Sequence, residues 1–170
     1  MTALISGRAW VFGDNVNTDV MAPGLYFKAP MAEMAKHCME VVDPEFAGRV
    51  QPGDIVVGGH NFGVGSAREQ AAMALQYLGV GAVLAPSFGR IFYRNTLNFG
   101  IPALRLPESM IIEPGDRVHV EPETGQIRNE SRGTACNSPP LPPHLLEMVA
   151  AGGLMPYLKA RLHKERRHGP

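Results

Sequence analysis

Residues 54–85, DIVVGGHNFGVGSAREQAAMALQYLGVGAVLA, contain the clearest indication of the fold class. The stretch opens on Asp54 and the apolar residues 55–57, a segment that is typical of a buried strand, and a glycine-rich loop follows. Residues 67–78 predict a helix, because apolar side chains recur at positions 71, 74, 75 and 78. A second buried strand is predicted at 82–85, so the segment has the order of a parallel β-α-β unit.

The flanking sequence extends this unit to a small, mostly parallel sheet with helices beside it. Before it, the pattern predicts a strand at 9–12, a long loop at 13–30 and a short helix at 31–38. After it, a helix at 91–98 and a strand at 103–106 continue the alternation. The expected fold class is therefore α/β.

The chain beyond Pro107 has a different pattern. Two segments that favour strands, 117–121 and 126–129, flank a Pro-Glu-Thr-Gly turn and predict an antiparallel hairpin. The remaining predicted elements are an extended proline-rich segment at 138–143 and helices at 144–151 and from 154 onward. We expect one domain over residues 1–170.

The composition is that of a water-soluble protein, since 45% of the 170 residues are hydrophobic and 19% are charged. No apolar stretch reaches the ~20 residues that a membrane helix needs. The N-terminus lacks a basic region followed by an apolar block. These observations predict a cytoplasmic protein.

Charge is unevenly distributed, although the sixteen basic and sixteen acidic residues balance. The tail from Lys159 holds five basic residues and one acidic, which leaves eleven basic and fifteen acidic residues in 1–158. An acidic body argues against general nucleic-acid binding. The basic tail, 159–170, fits a solvated terminal helix or a contact with an acidic partner.

The two cysteines, Cys38 and Cys136, are 98 positions apart. Neither has a second cysteine or a histidine at metal-ligand spacing. We therefore expect that this chain binds no iron–sulfur cluster or zinc ion with its own thiolates alone.

The glycine-rich loop, 58–65, precedes a helix, so phosphate binding is one hypothesis for it. A P-loop requires a lysine after its last glycine, whereas the chain has Ser66 there. A dinucleotide fingerprint starting at Gly63 would place Arg68 where a closely packed glycine is required. These departures argue against nucleotide binding. If the chain did bind a nucleotide, ATP or NAD would shift the melting temperature of the isolated chain.

Ser66 and Glu69 have the spacing of a capping box, in which the serine caps the helix and the glutamate bonds back to it. The position is also suited to chemistry. A helix N-terminus and the charge of Arg68 lower the cost of a serine alkoxide and attract a carboxylate. Both interpretations stay open from these residues alone.

Five motifs follow one another in the first two thirds of the chain. They are GDNVNTD (13–19), PGLY (23–26), GHNFGVGSAREQA (59–71), PSFGRIFYRN (86–95) and NFGIP (98–102). In order and spacing, over about residues 7–106, they resemble the small subunits of 3-isopropylmalate dehydratase. That family is similar to the swivelling C-terminal domain of aconitase, and the chain length resembles its archaeal-type short form. Taken in isolation, the polar residues of the first motif are explained by Asx turns.

The resemblance implies a two-subunit hydro-lyase that interconverts 2-isopropylmalate and 3-isopropylmalate in leucine biosynthesis. A separate large subunit would hold a [4Fe–4S] cluster through three cysteines, and one iron would act as a Lewis acid on the substrate. By the family's motif, Ser66 is the catalytic base and Arg68 binds a substrate carboxylate. Asp19 matches an acidic residue that lies near both.

The same resemblance suggests substrate contacts in two segments. They are Tyr26, Phe27 and Lys28 after the Pro-Gly pair, and Asn61, Gly65 and Ala67 in the glycine motif. Archaeal-type members that accept an extra carboxylate tend to have a cationic residue in the first segment, so Lys28 favours an anionic distal group. Two residues depart from the family pattern, Ala67 in place of a second serine and Gln70 in place of a histidine. Losing the second hydroxyl bears on substrate preference or rate rather than on the mechanism.

Two alternatives accompany this interpretation. The first is the small subunit of a homoaconitase or a 2,3-dimethylmalate dehydratase. The second is a non-catalytic binding or regulatory module on the same fold, for which Ala67 is the only sign. The presence of Ser66, Arg68 and Asp19 together argues against the second.

Overall fold

The computed structural model describes residues 3–169 and contains a seven-stranded sheet with helices packed against it. The strands are β1 (Ile5–Val11), β2 (Ile55–Val57), β3 (Ala82–Ala85), β4 (Ala103–Arg105), β5 (Arg117–Glu121), β6 (Gln126–Asn129) and β7 (Thr134–Asn137). The helices are α1 (Thr18–Met21), α2 (Met31–Ala35), α3 (Phe46–Arg49), α4 (Glu69–Tyr77), α5 (Arg90–Asn98), α6 (Pro143–Ala150) and α7 (Leu154–Arg167). A short 3₁₀ helix covers Gly24–Tyr26.

The strand order is β4-β3-β2-β1-β5-β6-β7, and β1 joins a parallel half to an antiparallel half. Residues 9–11 of β1 pair in parallel with β2, whereas residues 5–8 pair antiparallel with β5. The pairs from β2 to β4 are parallel, and those from β5 to β7 are antiparallel. This confirms the predicted α/β fold with an antiparallel part, in which β7 adds a third strand to the predicted hairpin.

A buried carboxylate fixes the place where β1 and β2 meet. Asp54 is only 5% exposed and accepts hydrogen bonds from the backbone N–H of Arg8 at 3.1 Å and the indole N–H of Trp10 at 2.9 Å. It also accepts one from the backbone N–H of Gln51 at 2.9 Å, which closes the turn before β2. A buried carboxylate needs such partners, so Asp54 holds β1 at one position beside β2.

Each face of the parallel strands covers a different hydrophobic core, because successive side chains of a strand point to opposite faces. The first core packs α1, α2, α4 and α5 against the sheet, and its large buried side chains include Met34, Phe46, Phe62, Leu75 and Phe92. The second core lies between the two halves of the curled sheet, where Ile55 and Leu84 pack with Val118, Val120 and Ile127.

The C-terminal helices form a smaller third cluster. Leu97 of α5 is packed with Met148 and Val149 of α6, and Leu154 and Tyr157 of α7 lie against them. Helix α7 carries the basic tail and buries none of its side chains. Across residues 3–169, the helices are all too short or too polar to cross a membrane.

Most predicted elements are confirmed to within a few residues, and the differences lie at helix ends, in the long loop and in β1, which begins at Ile5 rather than residue 9. Helix α4 begins at Glu69 rather than residue 67, and α2 ends at Ala35 rather than residue 38. The predicted loop at 13–30 contains α1 and the 3₁₀ helix. The sequence patterns also missed α3 and β7, because four residues are too few to display a period.

Gly63 is a position where a side chain would break the loop after β2. Its φ is +80°, and a Cβ there would lie 2.1 Å from Cγ of Phe92. We expect Gly63→Ala to lower the free energy of unfolding by about 3 kcal/mol, as the sum of left-handed backbone and overpacking costs. Chemical denaturation measures this change.

Gly115→Ala is the matched control. Gly115 also has a positive φ, +87°, but no atom lies within 4 Å of a Cβ built there. It should therefore show only the backbone cost, about 1 kcal/mol. If the free energy of unfolding falls equally in the two variants, the Phe92 side chain must move to accommodate the added Cβ, and close packing at Gly63 is unimportant.

Candidate active site

The loops that follow β1 and β2 are bonded to one another along their length. Four backbone hydrogen bonds, which we call the loop ladder, are Gly59 N–H to Gly13 O, Asn15 N–H to His60 O, Gly63 N–H to Val16 O and Thr18 N–H to Val64 O, at 2.7–3.0 Å. The carboxyl ends of parallel strands meet at one edge of a sheet, where α/β proteins place their sites. The ladder therefore brings the start of α1 beside residues 66–68.

Most backbone N–H groups of the glycine-rich loop form hydrogen bonds within the protein. The six consecutive N–H groups of residues 59–64 all donate to protein acceptors. Among them, His60 bonds the Asp14 carboxylate and Asn61 bonds the Ser87 hydroxyl, both at 2.8 Å. A phosphate cradle needs free N–H groups, so these contacts argue against the nucleotide-binding alternative.

Ser66 is not a helix cap. The N-cap of α4 is Arg68, which makes no side-chain cap bond, so the capping box expected from Ser66 and Glu69 is wrong. The chain turns before the helix, with Arg68 N–H donating to Ser66 O at 2.8 Å, and this turn moves the serine away from the cap position. Its hydroxyl instead lies 3.4 Å from Asp19 Oδ1 and 3.3 Å from Thr18 Oγ1.

Thr18 holds Ser66 in this position, and the sequence had not singled it out as a site residue. The buried Thr18 hydroxyl donates to the Ser66 carbonyl at 2.8 Å. Because that bond uses its single proton, Thr18 Oγ1 is left as an acceptor toward the Ser66 hydroxyl. The available signal was its place directly before Asp19 in the first family motif.

The guanidinium of Arg68 has two supports. Its Nη1 lies 2.7 Å from Asp19 Oδ1, and its Cζ lies 4.0 Å from the centre of the Phe27 ring. An ion pair and a cation–π contact fix the plane of the group. The side chain is still 34% exposed, and a guanidinium has five donors, so donors are left for a ligand carboxylate.

The structure brings Ser66, Asp19 and Arg68 together, and the predicted residues Asn61, Gly65 and Ala67 lie along the same loop. The Asn61 side-chain amide donates to Asn15 Oδ1 at 3.1 Å, between the two loops. Gly65 has a φ of +109° and packs against residues 17 and 18. Ala67 is exposed beside Ser66. Their substrate contacts stay predictions.

The 24–28 segment, residues Gly24 to Lys28, divides its side chains between protein and solvent. Leu25 is 86% exposed, and Lys28 is exposed as well. Phe27 lies on Arg68, and the Tyr26 ring stacks on the imidazole of His37 with ring centres 3.7 Å apart. No sequence pattern pointed to His37, because it reaches Tyr26 only through the fold.

The two cysteines lie in different parts of the molecule. Cys38 is buried in the first core, whereas Cys136 packs against the second. Burial raises the pKa of the Cys38 thiol, which disfavours the thiolate that binds metals. In the part of the chain that the structure describes, no group of three or more His, Cys, Asp or Glu side chains could hold a metal ion. These residues do not fit an iron–sulfur cluster.

Relatives in sequence cover nearly the whole chain. Residues 16–109 match the aconitase C-terminal domain. The 3-isopropylmalate dehydratase small subunit of Nautilia profundicola is 46% identical over 164 residues, which are 96% of this chain and 99% of that one. The methanogen homoaconitase small subunit of Methanothermobacter thermautotrophicus is 45% identical and covers 94% of each chain.

A solved structure agrees with these relatives. The crystal structure of a 3-isopropylmalate dehydratase protein from Methanocaldococcus jannaschii matches with a TM-score of 0.91 at 39% identity, over 98% of this chain and 100% of that one. Identity at this level over nearly the whole of both chains reflects common descent as well as a common fold. The chain therefore belongs to the family of 3-isopropylmalate dehydratase small subunits, built on the fold of the aconitase C-terminal domain.

Proposed function

We propose that this chain is the small subunit of a 3-isopropylmalate dehydratase, a hydro-lyase that interconverts 2-isopropylmalate and 3-isopropylmalate. The observation that carries the proposal is the cluster of Ser66, Asp19 and Arg68 at one edge of an aconitase-type domain. Proton abstraction next to a carboxylate requires a base and a fixed positive group beside it. The cluster supplies both.

Ser66 is the base in this proposal. The charge of Arg68 favours the alkoxide form of its hydroxyl. The alkoxide takes the proton from the substrate carbon, the electron pair of the C–H bond forms the carbon–carbon double bond, and hydroxide leaves the neighbouring carbon. In the return step, hydroxide adds to the carbon that lost the proton, and Ser66 gives the proton to the other carbon.

Arg68 binds a substrate carboxylate with the donors that Asp19 leaves free. Asp19 and Phe27 hold the guanidinium before the substrate arrives, so little side-chain entropy is lost on binding. Asp19 therefore has two roles, because the oxygen that bonds Arg68 also faces the Ser66 hydroxyl.

A separate large subunit completes the site. Ser66 and Asp19 are exposed in this chain, whereas an alkoxide base works best where water is excluded. The cysteines here do not fit a cluster, and relatives carry the name of small subunits. We therefore assign both the cover of the site and the iron–sulfur cluster to the large subunit.

Co-expression with the large subunit and anaerobic reconstitution test the proposal. Absorbance of the unsaturated intermediate is followed in parallel with isopropylmalate, homocitrate, citrate and dimethylmalate. Turnover of isopropylmalate is the expected result. A complex with an intact cluster that turns over none of the four would overturn the proposal.

Ser66→Ala is expected to reduce kcat of the reconstituted complex by about 10²–10⁴-fold, the range for loss of a general base. Since Ser66 is exposed and caps no helix, the free energy of unfolding should change by less than ~0.5 kcal/mol. Ser109→Ala is the matched control, an exposed serine beside Cys136, and should keep wild-type kcat. A Ser66→Ala complex within about tenfold of wild type would exclude Ser66 as the base.

Arg68→Lys is expected to raise KM for isopropylmalate by roughly 10–100-fold, the equivalent of a charge-assisted hydrogen bond. Lysine keeps the charge but has no planar fork to bond Asp19 and a carboxylate together. Arg49→Lys, in the exposed Glu45 pair of α3, is the control and should leave KM unchanged in steady-state kinetics. An unchanged KM in Arg68→Lys would assign the carboxylate to another residue.

A homoaconitase small subunit is the second candidate, and Lys28 is the observation that favours it. This lysine is exposed on the 24–28 segment and follows Phe27, whose ring contacts Arg68. An ammonium group there suits a substrate with an additional carboxylate. Turnover of homocitrate with none of isopropylmalate would establish this candidate instead.

Lys28→Leu is expected to raise the ratio of kcat/KM for isopropylmalate to that for homocitrate by about tenfold. The change removes a favourable charge for the acid and adds apolar surface for the isopropyl group. Lys159→Leu, an exposed lysine of α7, is the control. A ratio that does not move would mean that Lys28 faces away from the distal group of the substrate.

A further inference from the structure

His37 attaches the 24–28 segment to the body of the protein. Its imidazole lies parallel to the Tyr26 ring, with centres 3.7 Å apart and planes 5° apart. The residues beside it, Ala35, Cys38 and Met39, are buried in or against the first core. Buried neighbours therefore hold the backbone of His37 in place, and the Tyr26 ring packs against its imidazole.

The surroundings of His37 favour its charged form. Nδ1 lies 2.7 Å from a Glu40 carboxylate oxygen, and Nε2 lies 3.4 Å from a Glu33 oxygen. Only an imidazolium can donate from both nitrogens. The bond to Glu40 raises the pKa of His37, Glu33 adds to this effect, and burial opposes it. Lys36, the other charged group of the cluster, pairs with Glu33 at 3.3 Å.

The charge strengthens the stack on Tyr26. A cation against the face of an aromatic ring gains an electrostatic attraction that a neutral imidazole lacks. Tyr26 is followed by Phe27, which supports Arg68, and then by Lys28. Movement of Tyr26 would therefore displace Lys28 and, through Phe27, also Arg68. We assign both of these side chains to substrate binding.

We propose that His37 is a positioning residue, whose imidazolium, fixed by Glu33 and Glu40, holds Tyr26 and with it the substrate-facing 24–28 segment. The kinetic consequence rests on the proposed function, whereas the coupling of His37 to Tyr26 does not. Loss of the proton from His37 loosens the segment and raises KM. It changes kcat less than KM, because the contacts of Ser66 with Thr18 and Asp19 do not involve the segment and the ion pair with Asp19 still holds Arg68.

The direction of the pH effect follows from the raised pKa. A histidine of this kind contributes fully below its ordinary pKa, 6.5, and loses its contribution as pH rises through the raised value. KM for isopropylmalate should therefore rise on the alkaline side of neutrality, by about twofold to fivefold for a cation–π contact at an accessible site. Any change in kcat at the same pH should be smaller than the change in KM.

Two variants separate charge from shape. His37→Phe keeps a flat ring without charge and should show the raised KM at every pH, with no titration. His37→Arg keeps a planar cation that can bond carboxylates and lie on Tyr26, so it should keep the low KM across the range. KM and kcat are measured on the reconstituted complex from about pH 6 to about pH 9. An identical pH dependence in wild type and His37→Phe would overturn the proposal.

Magnetic resonance on the free chain separates this proposal from the proposed function. With labelled histidine and tyrosine, the His37 imidazole should titrate with a midpoint above 6.5. The ring resonances of Tyr26 should shift with the same midpoint, and this shift should vanish in His37→Phe. If isopropylmalate is not turned over while the Tyr26 resonances follow His37, the function fails and the coupling stands. Tyr26 resonances that do not follow His37 would refute the coupling whatever the activity.

Discussion

The loop ladder, four backbone hydrogen bonds between the loops after β1 and β2, is the constraint on which the site depends. It places the Ser66 hydroxyl beside Asp19, 47 positions earlier in the chain. Backbone bonds of this kind do not depend on side-chain identity, apart from the glycines that the close approach requires. The loops are therefore joined by the same kind of bond as the strands, and their side chains are free to carry chemistry.

The ladder works because the strands beneath it are held in one register. Asp54 lies at the start of β2 and bonds β1 there, while the ladder joins the loops beyond the other end of the same strands. With only three residues in β2, a slip would move every side chain to the opposite face. The buried carboxylate makes such a slip costly, because it would lose its donors.

Arg68 connects the rigid part of the site to its exposed part. Asp19 holds the guanidinium from the loop ladder side, and Phe27 holds it from the 24–28 segment. That segment in turn rests on His37 through Tyr26. In the proposed function, the residues that bind the common carboxylate and the variable substrate group thus share one support, so a change in the segment affects both.

The alternation of strands and helices over residues 54–106 and the 117–129 hairpin could be predicted from the sequence alone. Its motifs also indicated the candidate residues Ser66, Asp19 and Arg68. These signals lie in local periods and spacings, which a linear chain displays directly. Three features became visible only in the folded chain. Ser66 faces Asp19 and caps no helix, Thr18 holds Ser66, and His37 contacts Tyr26. A capping box depends on local spacing, but here contacts between distant loops turn the chain before α4. Packing between segments that are distant in the chain produces no periodic pattern in the sequence, so it could not be predicted.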